Sequence, residues 1–173
     1  MKTLPLVLSG LLLAVGAVLN LVMPDLFFGM SPDMLLTFMF LSILLFPKVK
    51  YVLIIGVVTG VLAAITTTFP LGQIPNLIER PITAFIFFGL FLALRKNQSV
   101  ITAGILTAVG TMISGAIFLT LALIIVGLPG GGTFVGFFIT VVLPAAAINT
   151  ALMVIIHPIA QSFMRRSKVA SAA

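Results

Sequence analysis

The chain has 173 residues, of which 61% are hydrophobic and 7% charged, with no cysteine. So little charge cannot cover a water-soluble domain, and the missing cysteines exclude disulfides, thiol catalysis and cysteine-based metal sites. The net charge of +6 sits in short basic clusters between apolar runs, the pattern of membrane topology and not of nucleic-acid binding.

A membrane-spanning helix needs about 20 mostly apolar residues, so this length predicts roughly six spans in one transmembrane domain over 1–173. The first is Leu4–Met23, closed by Pro24 and Asp25. Lys2 precedes it and no small-x-small cleavage site follows, so it reads as a retained helix and not a signal peptide. After a loop over 26–31, the second span runs over 32–46. Ser31, Pro32 and Asp33 form its start: an N-cap, a proline at the first helical position and an acid in the first turn. Its 15 residues reach about 22 Å, against about 30 Å of hydrocarbon. It is therefore expected to begin below the membrane surface, with the preceding loop dipping inward to line a cavity. The competing reading continues the helix back through Leu26–Met30 with a kink at Pro32.

Pro47–Lys50 is a turn and Tyr51–Phe69 the third span. The stretch Thr66–Asn76 stands apart, because it gathers hydroxyls, Gln73 and Asn76 immediately before Glu79 and Arg80. The fourth span is set at 77–94, and Asn76 and Glu79 have the spacing of a capping box. Glu79 and Arg80 form an interfacial ion pair or, being costly at membrane depth, hold a polar or zwitterionic head group. Arg95–Ser99 is a turn, 100–127 the fifth span, and Pro129–Gly132 a break before the sixth span, 133–164. Asn149 in mid-membrane bonds another helix or, with Pro144 freeing a carbonyl one turn earlier, meets a ligand. His157 has no acidic partner nearby in sequence and reads as structural.

Small residues form two faces: Gly10, Ala14 and Ala17 on the first span, and Gly56, Gly60 and Ala64 on the third. Such faces let helices approach closely, inside the bundle or against a partner. The aromatics are 15 Phe, one Tyr and no Trp. Phe27, Phe28, Phe69, Phe134, Phe137 and Phe138 fall near the outer ends, as lipid-facing residues or walls of an apolar pocket.

With the N-terminus inside, the inner segments hold Lys2, Lys48, Lys50, Arg95, Lys96, Arg165, Arg166 and Lys168, eight of the nine basic residues. Only Arg80 falls outside, together with the three acids Asp25, Asp33 and Glu79. Positive charge resists translocation. The expected fold is an all-α integral membrane protein, a six-transmembrane-helix bundle, multi-pass in the cell membrane with both termini cytoplasmic. The sequence holds no His-Glu-x-x-His helix, no acidic cluster for a metal and no Gly-rich phosphate loop with a lysine. No catalytic residue, metal or cofactor is expected. The readings left are a binding and uptake subunit, a self-sufficient secondary transporter, which needs an ion site, and a scaffold subunit, which leaves the polar outer stretch unexplained.

Met30-Ser31-Pro32-Asp33-Met34, the apolar run ending Phe46-Pro47, the stretch Thr66-Thr67-Thr68-Phe69-Pro70-Leu71-Gly72-Gln73-Ile74-Pro75-Asn76 and Ile82–Leu90 carry a family resemblance. The chain resembles the tryptophan transporter family of Gram-positive bacteria, related to the S components of energy-coupling factor (ECF) transporters, over most of its length. The resemblance implies an outward-opening ligand site made by outer loops and later helices. It also implies a small-residue face on the first helix that docks an ECF transmembrane coupling subunit. Gly10-x-x-x-Ala14 fits that face, with Ala17 beyond it, and ATP would be hydrolysed by partner ATPases. For tryptophan, the ammonium needs a carboxylate, from Glu79 or Asp33, and the carboxylate needs Arg80, an amide, or the N–H groups at the start of the fourth span. The indole N–H needs an acceptor such as Gln73 or Asn76, and the ring needs Phe69 or another outer aromatic. Asn149 is the next candidate. Another aromatic amino acid or a small aromatic vitamin would also suit an apolar pocket with polar ends.

Overall fold

The computed structural model of the protein describes residues 3–23, 33–95 and 99–166, with backbone alone at 129, 165 and 166. The expected loop at 26–31, the Ser31–Pro32 helix start, Asp25, Phe27, Phe28, Lys2, Lys96 and Lys168 lie outside the described residues. Within them the elements are α1 (Thr3–Val22), α2 (Met34–Leu45), α3 (Val49–Thr66), α4 (Gln73–Leu94) and α5 (Val100–Ile125). A short turn at Pro129–Gly131 leads to α6 (Phe134–Phe137), which continues through a widened turn at Phe138–Val142 into α7 (Leu143–Arg166).

Five stretches are long and apolar enough to cross a membrane: α1, α3, α4, α5 and the rod over Phe134–Met164. Their outward faces carry Val7, Leu11, Ile65, Ile101, Ile124 and Ile155, all exposed, as lipid-facing surfaces require. The sixth helix, α2, has 12 residues, about 18 Å at 1.5 Å per residue, too short to span about 30 Å of hydrocarbon. Ten consecutive residues, Met34–Ile43, are buried, the mark of a helix enclosed on every side. It touches α1, α3, α4, α5 and α7. The short second span expected from sequence is thus the central post of the bundle.

Close helix contacts fix the neighbours around this post. A methyl group built on Gly56 would lie 3.0 Å from Pro81 Cα and from Ala84 Cβ, and one on Gly60 would lie 3.3 Å from the Leu77 carbonyl oxygen. The small-residue face of α3 is therefore spent on packing against α4. On α1 the residue at closest approach is Gly16, whose added methyl would lie 3.0 Å from Phe38 Cβ on α2. Phe40 of α2 and Phe87 of α4 stack with centroids 4.0 Å apart, adding to the buried area of both rings.

Two element boundaries differ from the sequence reading. α3 ends at Thr66, and α4 begins at Gln73 behind Gly72, which provides no side-chain cap. Asn76 is therefore inside the helix, its N–H bonded to the Gly72 carbonyl at 3.0 Å, and the Asn76–Glu79 capping box does not form. Pro75 explains the error. A proline in the first turn lacks an N–H that has no helical partner anyway, so it marks a helix start here and not a loop.

Candidate functional site

The turn between α3 and α4 is shaped by its sequence. The Phe69 N–H bonds Thr67 Oγ1 at 3.3 Å, and the Gly72 N–H bonds the Phe69 carbonyl at 3.0 Å. Pro70 takes the second position of that turn, where its fixed φ belongs. Leu71 takes the third at φ 57°, a left-handed conformation that a branched side chain rarely holds. The turn sends Leu71 outward and leaves Phe69 buried at 5% exposure.

Phe69 forms one wall of a cavity of about 130 Å³. The other walls come from Asn20 at the end of α1, Asp33 and Leu36 at the start of α2, and Asn76 and Arg80 at the start of α4. Thr111, Ser114 and Phe118 on α5 and Val142 at the end of the widened turn face it as well. All of these lie at one end of the bundle, opposite the end that holds Lys48, Lys50 and Arg95. The widened turn has its own cause. Pro144 has no N–H to offer one turn back, and the Leu143 N–H reaches five residues back to the Phe138 carbonyl, an interruption that brings Val141 and Val142 to the cavity wall.

Arg80 is the hub. One guanidinium nitrogen, Nη2, pairs with Asp33 Oδ2 and lies 3.4 Å from Asn76 Oδ1. Nε lies 3.2 Å from Glu79 Oε2, close enough for an ion pair but not aligned for a hydrogen bond, and Nη1 has no hydrogen-bond partner. Asp33 also accepts the Leu36 N–H at 2.9 Å, capping α2. Glu79 Oε1 accepts the Thr83 hydroxyl and the Ser114 hydroxyl at 2.6 Å. Asn149 donates to Thr111 at 3.4 Å. Asn20 Nδ2 donates to Thr66 at 3.3 Å, leaving its own buried Oδ1 without a partner. Phe69 and Phe118 meet edge to face, centroids 5.1 Å apart at 89°. Among the described residues no three His, Cys, Asp or Glu gather as metal ligands. The walls offer one ring-sized apolar space with acceptor, donor and opposite charges at its border.

The family model for the tryptophan transporter TrpP matches residues 2–165. The chain belongs to this family. It is 53% identical over 173 residues to a probable tryptophan transport protein of Bacillus subtilis (strain 168), covering all of this chain and 99% of that one. A second protein of that description, from Clostridium acetobutylicum, is 48% identical over 92% of this chain and 93% of its own. A third, from Clostridium perfringens, is 36% identical over 94% and 93%. No solved structure matches the chain.

In this member of the tryptophan transporter family the residues singled out in the sequence fall into distinct places. Asp33, Phe69, Asn76 and Arg80 line the cavity together. Glu79 and Asn149 are fully buried one layer behind, touching the wall through Arg80 and Ser114 and through Thr111. Gln73 does not join them: two turns beyond Arg80, it is exposed at the start of α4, past the rim. Gly10 and Ala14 are exposed on α1, with open space beside Gly10. Ala17 is buried at 8% exposure, turned into the bundle, so it does not belong to an outward docking face. Asn20, Thr111, Ser114 and Phe118 were not foreseen. For the last three the signal is present on α5, where Thr107, Thr111, Ser114 and Phe118 recur at helical spacing on one face.

Proposed function

We propose that this chain captures tryptophan in the cavity and delivers it across the cell membrane as the S component of an energy-coupling factor importer. The observation that carries the reading is Arg80: a guanidinium at 4% exposure on the cavity wall, with Nη1 unpartnered. A buried donor without a partner costs about 1–3 kcal/mol, and a substrate carboxylate at Nη1 relieves that cost. Asp33, on the same wall, receives the substrate ammonium. The two ends of the zwitterion are thus read by groups that otherwise pair with each other. The indole packs against Phe69 and Phe118, and a cavity near 130 Å³ is of the order of one that takes a benzene ring, about 150 Å³.

Family membership and the printed descriptions of the relatives support tryptophan as the ligand. The site faces outward, because the basic turns lie at the opposite end and positive charge is retained in the cytoplasm. Both termini are then cytoplasmic. The sequence holds no Gly-rich phosphate loop with a lysine, so ATP is hydrolysed by partner ATPases. The exposed Gly10–Ala14 face of α1 receives the transmembrane coupling subunit. Uptake of labelled tryptophan in cells with and without a coupling ATPase tests this. Uptake that requires the ATPase supports the S-component reading. Uptake that persists without it and collapses with the ion gradient identifies a secondary transporter instead.

A further inference from the structure

The cluster around Arg80 contains two carboxylates, Asp33 and Glu79, and one guanidinium, one negative charge in excess. Among the described residues, no other basic side chain stands at this end. Lys48, Lys50 and Arg95 belong to the far end, and His157 lies there beside Leu94 and Ser99. The N-terminus of α2 offsets part of the charge on Asp33, which leaves Glu79. Its exposure is 0%, it is not on the cavity wall, and Oε2 has no hydrogen-bond partner. Burying such a charge without full compensation is costly.

Among the described residues the groups facing Glu79 are few. They are Arg80 and Thr83 from α4, Ser114 from α5 and, across Arg80, Asp33 at the start of α2. The α3 surface packed on this part of α4 presents Gly56 and Gly60. An enclosed carboxylate without a cavity of its own has no room for a metal cation. A proton needs only a chain of hydroxyls, and one exists: Ser114 lines the cavity and donates to Glu79 Oε1 at 2.6 Å.

We infer that Glu79 is a proton-binding site linked to the substrate, taking up a proton through Ser114 when a substrate carboxylate seats on Arg80. This rests on the tryptophan site proposed above. The substrate ammonium takes Asp33 while its carboxylate takes a share of the guanidinium, so the net charge is unchanged but Glu79 holds less of Arg80. The indole displaces part of the cavity water that had screened the carboxylate. Ser114 Oγ passes its hydrogen to Glu79 Oε1 and recovers one from a water remaining in the cavity, which takes a proton in turn from buffer acid in solution. The carboxylate becomes a neutral carboxyl, no bond to carbon changes and no electron moves. Release of the substrate returns the proton.

Calorimetric titration of tryptophan into the purified full chain, in buffers of different ionisation enthalpy, reads affinity and proton uptake together. The expected uptake approaches about one proton per tryptophan at the pH where the free and bound chains differ most in proton occupancy, and replacing sodium by choline leaves the affinity unchanged. Glu79→Gln, a permanently neutral stand-in for the protonated side chain, is expected to bind tryptophan at least as tightly as the wild type, most visibly at high pH, and with no uptake. Ser114→Ala removes a hydroxyl that favours the ionised carboxylate, so the pH of greatest uptake moves upward. That variant decides the question if Glu79→Gln does not fold. Binding by the wild type without uptake at any pH overturns the inference and leaves the tryptophan site standing. Uptake that survives Glu79→Gln, a profile unmoved by Ser114→Ala, or affinity that follows sodium overturns it as well. No binding by the wild type overturns both readings.

Discussion

Asparagine in place of Asp33 separates two tasks held by one side chain. As the cap of α2, Asp33 accepts the Leu36 N–H at 2.9 Å, and asparagine caps a helix as well as aspartate does. As a charge, Asp33 pairs with Arg80 and, in the proposed pose, with the substrate ammonium. Its side chain is 28% exposed and that of Arg80 5%, so solvent screens the contact only in part. A hydrogen bond to a charged group is worth about 1.5–3 kcal/mol. The Kd for tryptophan should therefore rise about 10- to 150-fold in Asp33→Asn. Asp33→Ala should show the same loss and, with the cap gone, a further destabilisation of about 0.5–2 kcal/mol. The chain contains no tryptophan, so in a fluorescence titration all indole emission comes from the ligand. Thermal unfolding of the same samples reads the cap. Wild-type affinity in Asp33→Asn would show that the ammonium lies elsewhere, and equal stability of the Asn and Ala variants would refute the capping argument.

Gly56→Leu drives a side chain into Pro81 Cα and Ala84 Cβ, each 3.0 Å from the first added carbon, and should destabilise the α3–α4 contact by about 1–3 kcal/mol or more, measured as a lowered unfolding temperature. Ala14→Leu, on the exposed face of α1, should reduce tryptophan uptake in cells while the purified protein keeps its stability and affinity. Loss of folded protein would make that face internal packing. Reporters fused after Lys48, Lys96 and Lys168 should read cytoplasmic and one within 129–132 external, and an external signal at Lys96 would break the proposed orientation.

Helix existence was legible because each span is a long apolar run bounded by charge, proline or glycine. The shortness of α2 was legible too, since 15 positions cannot cross a bilayer at helical rise. What local patterns could not give was the pairing of Asp33 with Arg80, separated by 47 positions, which only the packing of α2 beside α4 creates. The start of α4 lies earlier than the sequence reading of 77 because the stretch up to Asn76 reads as a loop, although Pro75 sits in a first turn where it has no bond to break. Gln73 was grouped with Asn76 for its nearness in sequence, although the helix carries the two to different depths. The hydroxyl face of α5 went unread because Thr111 and Ser114 are diluted among alanines, glycines and aliphatics that pattern like any spanning helix.

The central post has a consequence for the surroundings in which the protein works. A helix enclosed by five neighbours has no lipid to hold it at a given height, so side-chain packing alone sets the level of Asp33 and the cavity floor. When the bilayer thins or thickens, the outer helices must tilt or draw headgroups toward them. The post has nothing exposed to that stress. The binding proposed at its tip is therefore insulated from lipid chain length, whereas any step that requires the outer helices to move against the membrane is not.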